Sequence, residues 1–158
     1  MKPSSTKKIL ITAVITFIAT SVVWLGVGIA LYKYWTEAPP PFNVTITHPD
    51  TVKLRDTFFL EIEVENTSSK SASLGSIDLY DELLDGFTVL SVEPEPNAKE
   101  HRWGFATYYL KRSISPDESF TFTLELQADQ LGYWSGDIDS CTPFESFVTA
   151  DASIEVID

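Results

Sequence analysis

The sequence is poor in the residues that form disulfides, zinc sites and catalytic triads. It contains one cysteine and two histidines among 158 residues. A single cysteine cannot form an intramolecular disulfide, and two histidines far apart in sequence offer little for a zinc site or a Ser-His triad. The length allows one domain with a single core rather than a two-domain enzyme. These shortages disfavour a disulfide-stapled scaffold and most metal-dependent or triad enzymes.

Basic residues are also scarce, and they are unevenly distributed. Eleven Lys and Arg stand against 23 Asp and Glu, which gives a net charge of −12. Residues 1–36 contain four lysines and no acidic residue, so the rest of the chain carries seven basic and 23 acidic residues, a net charge of −16. Nucleic acid is therefore disfavoured as a partner. Two regions of different physical character share one chain.

The first region contains a long uncharged segment. No charged residue occurs in residues 9–32, and a helix of that length reaches about 36 Å, enough to span a bilayer. Lys2, Lys7 and Lys8 precede the segment, whereas only Lys33 follows it before the acidic region. By the positive-inside rule we expect a cytoplasmic N-terminus over residues 1–8, a transmembrane anchor over 9–32 and a periplasmic or extracellular C-terminal domain. The expected location is a cell membrane, either an inner or a photosynthetic one.

The alternative for this segment is a cleaved secretory signal. Gly28-Ile29-Ala30 has the small-x-small form that signal peptidase accepts. The apolar core of a signal peptide is about 7 to 15 residues long, and the uncharged segment is clearly longer. Its length therefore favours an uncleaved anchor.

Small residues along the predicted helix suggest a contact with a second helix. Helical spacing places Ala19, Gly26 and Ala30 on one face, where small side chains allow a close approach. Trp24 lies nearer the bilayer centre than tryptophan prefers, which suggests a protein neighbour for its N–H. We therefore expect helix-contact residues at Ala19, Trp24, Gly26 and Ala30. The alternative is a lone helix in lipid, because small residues are common in such segments.

An aromatic and proline-rich linker, residues 33–42, follows the anchor. Tyr34 and Trp35 suit the headgroup level, where amphipathic rings prefer to sit. The run T-E-A-P-P-P-F, residues 36–42, favours an extended polyproline II segment of roughly 3 Å per residue. The linker is therefore expected to hold the outer domain close to the membrane.

A period of two dominates residues 43–158 and predicts β-strands. The strongest alternation of apolar and polar side chains occurs at residues 58–65, 119–128 and 148–156. Weaker segments, separated by turn residues, are 44–47, 73–80, 87–92, 104–111 and 133–139. Residues 81–84 can form one helical turn at most. We therefore expect an all-β fold, in which a single N-terminal transmembrane helix precedes a seven- to eight-stranded antiparallel immunoglobulin-like β-sandwich.

Three segments carry a resemblance to a known family. They are V-K-L-R-D-T-F-F-L-E-I-E-V-E-N at residues 52–66, S-I-S-P-D-E-S-F-T-F-T-L-E-L at 113–126, and Leu131-Gly132-Tyr133. Together they resemble the immunoglobulin-like modules of the CARDB (cell-adhesion-related) type, which occur in bacterial and archaeal surface proteins. The resemblance covers about residues 42–158. It implies a sandwich that serves for display or contact, generally without catalysis.

Aromatic side chains supply the best candidates for partner contact. Residues 101–109 contain one imidazole and four aromatic rings, and the basic residue Arg102 lies near the start of this segment. Because side chains alternate between the two faces of a strand, one face cannot bury all five of these rings. Aromatic residues and arginine are enriched where partners dock. The alternative is that the sandwich or the linker covers these rings. The partner-contact candidates are Trp103, Phe105, Tyr108, Tyr109, Tyr133 and Trp134.

Signals for chemistry are weak. Asp78, Asp81, Glu82 and Asp85 form an acidic run that could hold calcium, and Asp137, Asp139 and Ser140 form a second oxygen cluster, but no EF-hand register is present. Cys141 is expected to be a buried free thiol, with an intermolecular disulfide as the alternative. Glu61, Glu63 and Glu65 form an outward carboxylate row, and Asn43 and Asn66 match the glycosylation sequon. We assign no metal, no cofactor and no catalytic residue.

These features together predict a non-catalytic membrane protein that acts through protein contacts. The short linker and the small-residue face favour an accessory or structural subunit of a larger membrane complex, of which respiratory and photosynthetic complexes are examples. Its expected partners are integral membrane proteins and the lipid bilayer, and not nucleic acid. The first alternative is a free-standing membrane-anchored adhesion or ligand-binding module. The second is a hydrolase or a calcium-dependent carbohydrate binder.

Overall fold

The computed structural model describes residues 5–36, 40–143 and 146–158. The chain divides into two compact units, Met1–Ala38 and Pro39–Asp158. The first unit contains helix α1 (Ser5–Thr36). The second contains β1 (Phe42–Thr47), β2 (Thr51–Lys53), β3 (Thr57–Asn66), β4 (Ala72–Tyr80), α2 (Asp81–Leu84), β5 (Phe87–Glu93), β6 (Ala98–Arg102), β7 (Phe105–Ile114), β8 (Ser119–Ala128), β9 (Gly132–Cys141) and β10 (Phe147–Ile157).

Helix α1 is long and apolar enough to cross a membrane. Its candidate span is Val14–Tyr32, 19 residues with a mean hydropathy of 2.2. Length and composition of this kind suit a membrane anchor and a signal sequence alike. The hydroxyls of Thr20 and Ser21 donate to the carbonyl oxygens of Thr16 and Phe17 at 2.9 Å, so the helix satisfies these polar groups itself. Of the residues used to predict orientation, Lys2 lies outside the described residues.

The second unit is a sandwich of two sheets, which confirms the predicted fold class. One sheet has four strands in the order β1-β3-β8-β5, and the other has six in the order β2-β10-β9-β4-β7-β6. All strand pairs are antiparallel except β2 with β10. The described strands number ten rather than the predicted seven or eight. The two additional strands, β2 and β6, escaped prediction because one has three residues and the other, A-K-E-H-R, has no apolar alternation.

The core lies between the sheets and contains the inward-facing half of each strand. Alternate residues of β3 and β8 are buried, as the period of two predicts. Tyr108 and Phe122, which come from opposite sheets, pack with ring centroids 5.3 Å apart, and Phe58 meets Phe87 edge-on at the same distance. Burying a side chain of this size stabilises the fold by about 2 to 3 kcal/mol. Side-chain packing therefore joins the sheets in a chain that has only one cysteine.

Asn66 is a buried polar residue that fixes one end of the sandwich. Its side-chain Nδ2 donates to the carbonyl oxygens of Lys70 and Ile114 at 2.8 and 2.9 Å, and its Oδ1 accepts from the backbone N–H and the hydroxyl of Ser68. All of its hydrogen-bonding groups are therefore used. Because Nδ2 is buried and occupied, the sequon at Asn66 is inaccessible in the folded domain. Asn43 is exposed.

We expect Asn66→Ala to lower the free energy of unfolding by about 2 to 4 kcal/mol, because the variant leaves buried carbonyl groups without donors. The matched control is Asn43→Ala, which removes one exposed hydrogen bond to Glu65. Its expected effect is below about 0.5 kcal/mol. Urea unfolding followed by tryptophan fluorescence measures both, and equal losses would contradict this role for Asn66.

Candidate functional site

A concave groove of about 630 Å³ lies on the outer face of the six-stranded sheet. Alternation turns every second residue of β9, β4, β7 and β6 to this face, and the pairing of these strands brings those residues together. The register of these strands therefore determines which side chains line the groove. Its main lining residues, apart from the backbone and small side chains, are Asp78, Tyr80, Glu100, Arg102, Trp103, Phe105, Tyr109, Lys111, Asp139, Cys141 and Phe147.

The hairpin between β6 and β7 forms one rim of the groove. Trp103 and Gly104 at its tip both have positive φ, 56° and 88°, as a two-residue type I′ turn requires. The tip is fixed to α2, because the N–H of Asp81 donates to the carbonyl oxygen of Gly104 at 2.9 Å and Nε2 of His101 lies 2.8 Å from Oδ1 of Asp81. Trp103 is 85% exposed at this fixed tip. A large ring in a left-handed conformation on the surface is unusual and marks the hairpin as a candidate for contact.

Two carboxylates lie side by side at the floor of the groove. Asp78 of β4 is the direct cross-strand partner of Asp139 of β9. Asp139 is 7% exposed and accepts hydrogen bonds from the hydroxyls of Thr149 at 2.6 Å and Tyr80 at 3.4 Å. Oδ1 of Asp78 is buried without a hydrogen bond. Burial raises the pKa of Asp78, and the negative charge of Asp139 adds to this effect.

Cys141 lies beside these carboxylates as a free, half-buried thiol. Its Sγ donates to Oδ2 of Asp78 at 3.6 Å. Burial, followed by the negative charge of Asp78, raises the pKa of Cys141 to about 12. The thiol is therefore protonated at neutral pH, which is the opposite of what a nucleophile or a metal ligand needs.

The six predicted contact residues do not all lie on one surface. Trp103, Phe105 and Tyr109 line the groove together. Tyr108, the residue of opposite parity, is fully buried in the core and does not contribute to this surface, because β7 turns its ring toward the other sheet. Trp134 also faces inward and donates its indole N–H to the carbonyl oxygen of Gln130 at 3.1 Å, whereas Tyr133 is exposed away from the groove.

The two acidic clusters named in the sequence do not form metal sites among the described residues. No group of three or more acidic, histidine or cysteine side chains there has the geometry to hold an ion. Asp81 is engaged by His101, and Ser140 faces the core, away from Asp139. Thus the structure places Asp78 and Asp139, which the sequence assigns to different clusters, together in one groove.

The sequence alone did not identify Tyr80, Glu100 or Phe147 as site residues. Tyr80 packs on Phe105 with ring centroids 5.6 Å apart, and Glu100 accepts a hydrogen bond from the Tyr109 hydroxyl at 3.1 Å. Arg102 also donates to Glu100. Strand parity could have placed Tyr80 on the same face as Asp78. The lateral order of the strands, which brings in Glu100 and Phe147, has no local sequence signal.

We expect Asp78→Asn to stabilise the domain at pH 7 by up to about 1 kcal/mol, the scale of repulsion between like charges directly opposite in a sheet. The folded state binds the Asp78 proton more tightly than the unfolded chain does, so its ionisation destabilises the fold as the pH rises above 3.8. The gain should therefore disappear below about pH 4. Thermal unfolding at several pH values measures it, with Glu63→Gln on the other sheet as the control. A lower melting temperature for Asp78→Asn at pH 7 would contradict the argument.

We expect Cys141 to react with iodoacetamide at pH 8 about a thousandfold more slowly than free cysteine, because so little thiolate is present. The rate is measured by mass spectrometry of the intact chain. A double variant, Cys141→Ser with Ser119→Cys, places the one thiol at an exposed position and should react at an ordinary rate. Comparable rates for the two proteins would show that the thiol is not held protonated.

Similarity between this chain and known proteins concerns the fold rather than a specific activity. The chain matches neither a protein-family model nor a curated protein. Its second unit is similar to solved structures, among them the CARDB domain of a Pyrococcus furiosus protein, with 16% identity, 75% of this chain and 96% of that chain covered, and a TM-score of 0.50. A crystal structure of that domain in complex with di-metal ions has 15% identity, covers 78% and 96%, and has a TM-score of 0.48.

A cohesin module of a family 33 glycoside hydrolase from Clostridium perfringens is also similar. It has 10% identity, 74% of this chain and 97% of that chain are covered, and the TM-score is 0.51. At such identities the likeness concerns the arrangement of the strands. The second unit of the chain is therefore an immunoglobulin-like β-sandwich with the fold of CARDB domains, as the resemblance in the sequence predicted.

Proposed function

We propose that this chain is a membrane-anchored recognition module, in which α1 holds the protein at a membrane and the groove of the six-stranded sheet binds a protein partner. The observation that carries the proposal is the groove itself. It combines exposed aromatic rings at its rim with carboxylates at its floor, and aromatic residues are enriched at the centres of protein interfaces. A sheet face that served only solubility would not concentrate Trp103, Phe105, Tyr109 and Phe147 around one depression.

The proposed role is binding without catalysis. Cys141 is the thiol that lines the groove, and it is protonated at neutral pH. Asp139 accepts hydrogen bonds from the hydroxyls of Thr149 and Tyr80. A protonated thiol is a poor nucleophile, so the proposal assigns Cys141 no catalytic step. The fold of CARDB and cohesin modules agrees with a binding role.

In the finer form of the proposal, the protein is an accessory subunit of a larger membrane complex, such as a respiratory or photosynthetic one. Helix α1 would dock laterally through Ala19, Gly26 and Ala30, with Trp24 nearby. An added Cβ at Gly26 meets nothing within 4 Å in the isolated chain, so this face is open to a neighbouring helix. Integral membrane proteins are the proposed partners, and the domain is proposed to lie on the periplasmic or extracellular side.

The alternative is a free-standing adhesion or ligand-binding module held at the surface by α1. It is favoured by the back-bonded hydroxyls of Thr20 and Ser21, which leave these side chains without need of a partner. In this form the groove still binds, but the helix makes no specific contact. The two forms therefore differ only in the role of the helix.

Mild-detergent extraction of native membranes, followed by pull-down of the tagged chain and quantitative mass spectrometry, tests the proposal. We expect a stoichiometric set of partners that is reduced at least about tenfold by Phe147→Ser, because truncating an aromatic residue that anchors an interface costs about 2 kcal/mol or more. The control is Phe59→Ser, since Phe59 and Phe147 are both 55% exposed but lie on different sheets. Equal recovery in both variants would contradict the assignment of the groove.

A second pair of variants separates the two forms of the proposal. Gly26→Ile fills the small-residue face of the helix, and Gly28→Ile makes the same change on the opposite face. Loss of partners in the first but not the second supports an accessory subunit. Retention in both assigns the contact to the domain alone and overturns helix docking.

A further inference from the structure

A row of three carboxylates crosses the outer face of the six-stranded sheet. The register pairs Thr149 with Asp139, Asp139 with Asp78, Asp78 with Thr107 and Thr107 with Glu100. Three of these five neighbouring side chains are acidic, and Asp78 and Asp139 are directly opposite each other. Like charges in such a pair destabilise a sheet. The arrangement therefore works against folding and calls for a compensating charge.

No ion pair of the described residues supplies that charge to the two aspartates, although Lys111 also lines the groove. Within the described residues, the ion pairs join Arg55 to Asp129, His101 to Asp81 and Arg102 to Glu100. Glu100 is thus neutralised, whereas no described basic side chain forms an ion pair with Asp78 or Asp139. Asp78 also retains a buried oxygen without a hydrogen bond. A stability cost of this kind in a groove points to a ligand that relieves it.

The walls of the groove define the shape and chemistry of that ligand. The rings of Tyr80, Phe105 and Tyr109 border the carboxylates and offer flat, electron-rich faces. A planar guanidinium stacks on such rings and donates a fork of hydrogen bonds to carboxylates, whereas an ammonium is a compact and more strongly hydrated charge. The groove, at about 630 Å³, is also much larger than one small ion.

We propose that the groove binds an arginine side chain of a partner protein, with its guanidinium at Asp78 and Asp139 and its stem against Tyr80 and Phe105. The proposal rests on the proposed function and specifies its chemistry. Charge complementarity supports it, because the region after residue 36 carries a net charge of −16 and a basic segment would be attracted to it from a distance. The arginine would form the ion pair that no described side chain of this chain makes with Asp78 or Asp139.

The test uses the full chain in neutral detergent micelles and a fluorescently labelled, blocked peptide, Gly-Gly-Arg-Gly-Gly. Fluorescence anisotropy measures binding, and the neutral counterpart has citrulline in place of arginine. We expect the arginine peptide to bind at least about tenfold more tightly than the citrulline peptide and the corresponding lysine peptide. Equal binding of the citrulline peptide overturns the charge assignment, and equal binding of the lysine peptide overturns the guanidinium assignment.

Matched variants locate the binding. Asp78→Asn with Asp139→Asn should reduce binding at least about tenfold, whereas Glu61→Gln with Glu63→Gln removes the same charge from the outer face of the other sheet and should leave binding unchanged. Equal losses would mean a general attraction to an acidic domain and would overturn the site. Asp78→Asn alone should also weaken binding of the arginine peptide. Its thermal unfolding transition shows whether the variant is folded, and this separates a loss of binding from a loss of structure.

The peptide-binding experiment and the pull-down experiment can fail independently. Partners that are lost with Phe147→Ser, combined with no preference for the arginine peptide, would retain the groove as an interface and overturn only the arginine. Competition by spermine or calcium as strong as that by the peptide would instead identify a small cation as the ligand and overturn the protein side chain.

Discussion

The pleat of the β-strand is the constraint on which the rest of this domain depends. Successive side chains point to opposite faces, so each residue that packs into the core fixes its neighbour on the outside. Leu79 and Ile138 are buried between the sheets, which forces Asp78 and Asp139 outward. With no disulfide to hold the sheets together, the apolar interface cannot slip without exposing every core residue of a strand. The positions of the groove carboxylates are therefore as firmly set as the core itself.

The groove places stability and recognition in opposition. Two carboxylates side by side without an ion pair weaken the sheet, and the neighbouring thiol, whose pKa is raised to about 12, stays neutral and adds no third negative charge. A chain selected for stability alone would replace one carboxylate by a neutral residue. Retaining both is understandable if they meet a cation from outside, because the same buried environment that penalises an isolated charge strengthens its pairing with a partner.

Helix α1 and the sandwich follow different physical rules, and this is why they form separate units. In α1 the described side chains are apolar nearly all round, as suits lipid, and the hydroxyls of Thr20 and Ser21 return to the helix backbone. In the sandwich only one face of each strand is apolar. A contact proposed for α1 and a contact proposed for the sheet groove can therefore be tested independently.

Features that depend on local pattern could be predicted from the sequence. The uncharged segment of residues 9–32 predicted the helix, and alternation predicted the strongly patterned strands and hence the sandwich. Alternation also predicted that the rings of residues 101–109 cannot all be buried on one face. The sequence could not reveal β6, because five polar residues become an edge strand only through their pairing with β7. It also named Tyr108 as a contact residue, although the ring belongs to the core.

Tertiary structure alone decided which distant residues meet. Asp78 and Asp139 are 61 positions apart in the sequence, and each belongs to an acidic stretch that resembles solvated loop charge. Only the pairing of β4 with β9 makes them neighbours, and only the pairing of β7 with β4 adds the aromatic wall. Strand order depends on how the whole apolar surface is buried, a property of the complete chain rather than of any segment. The local pattern therefore determined the faces, and the packing of the sheets decided the site.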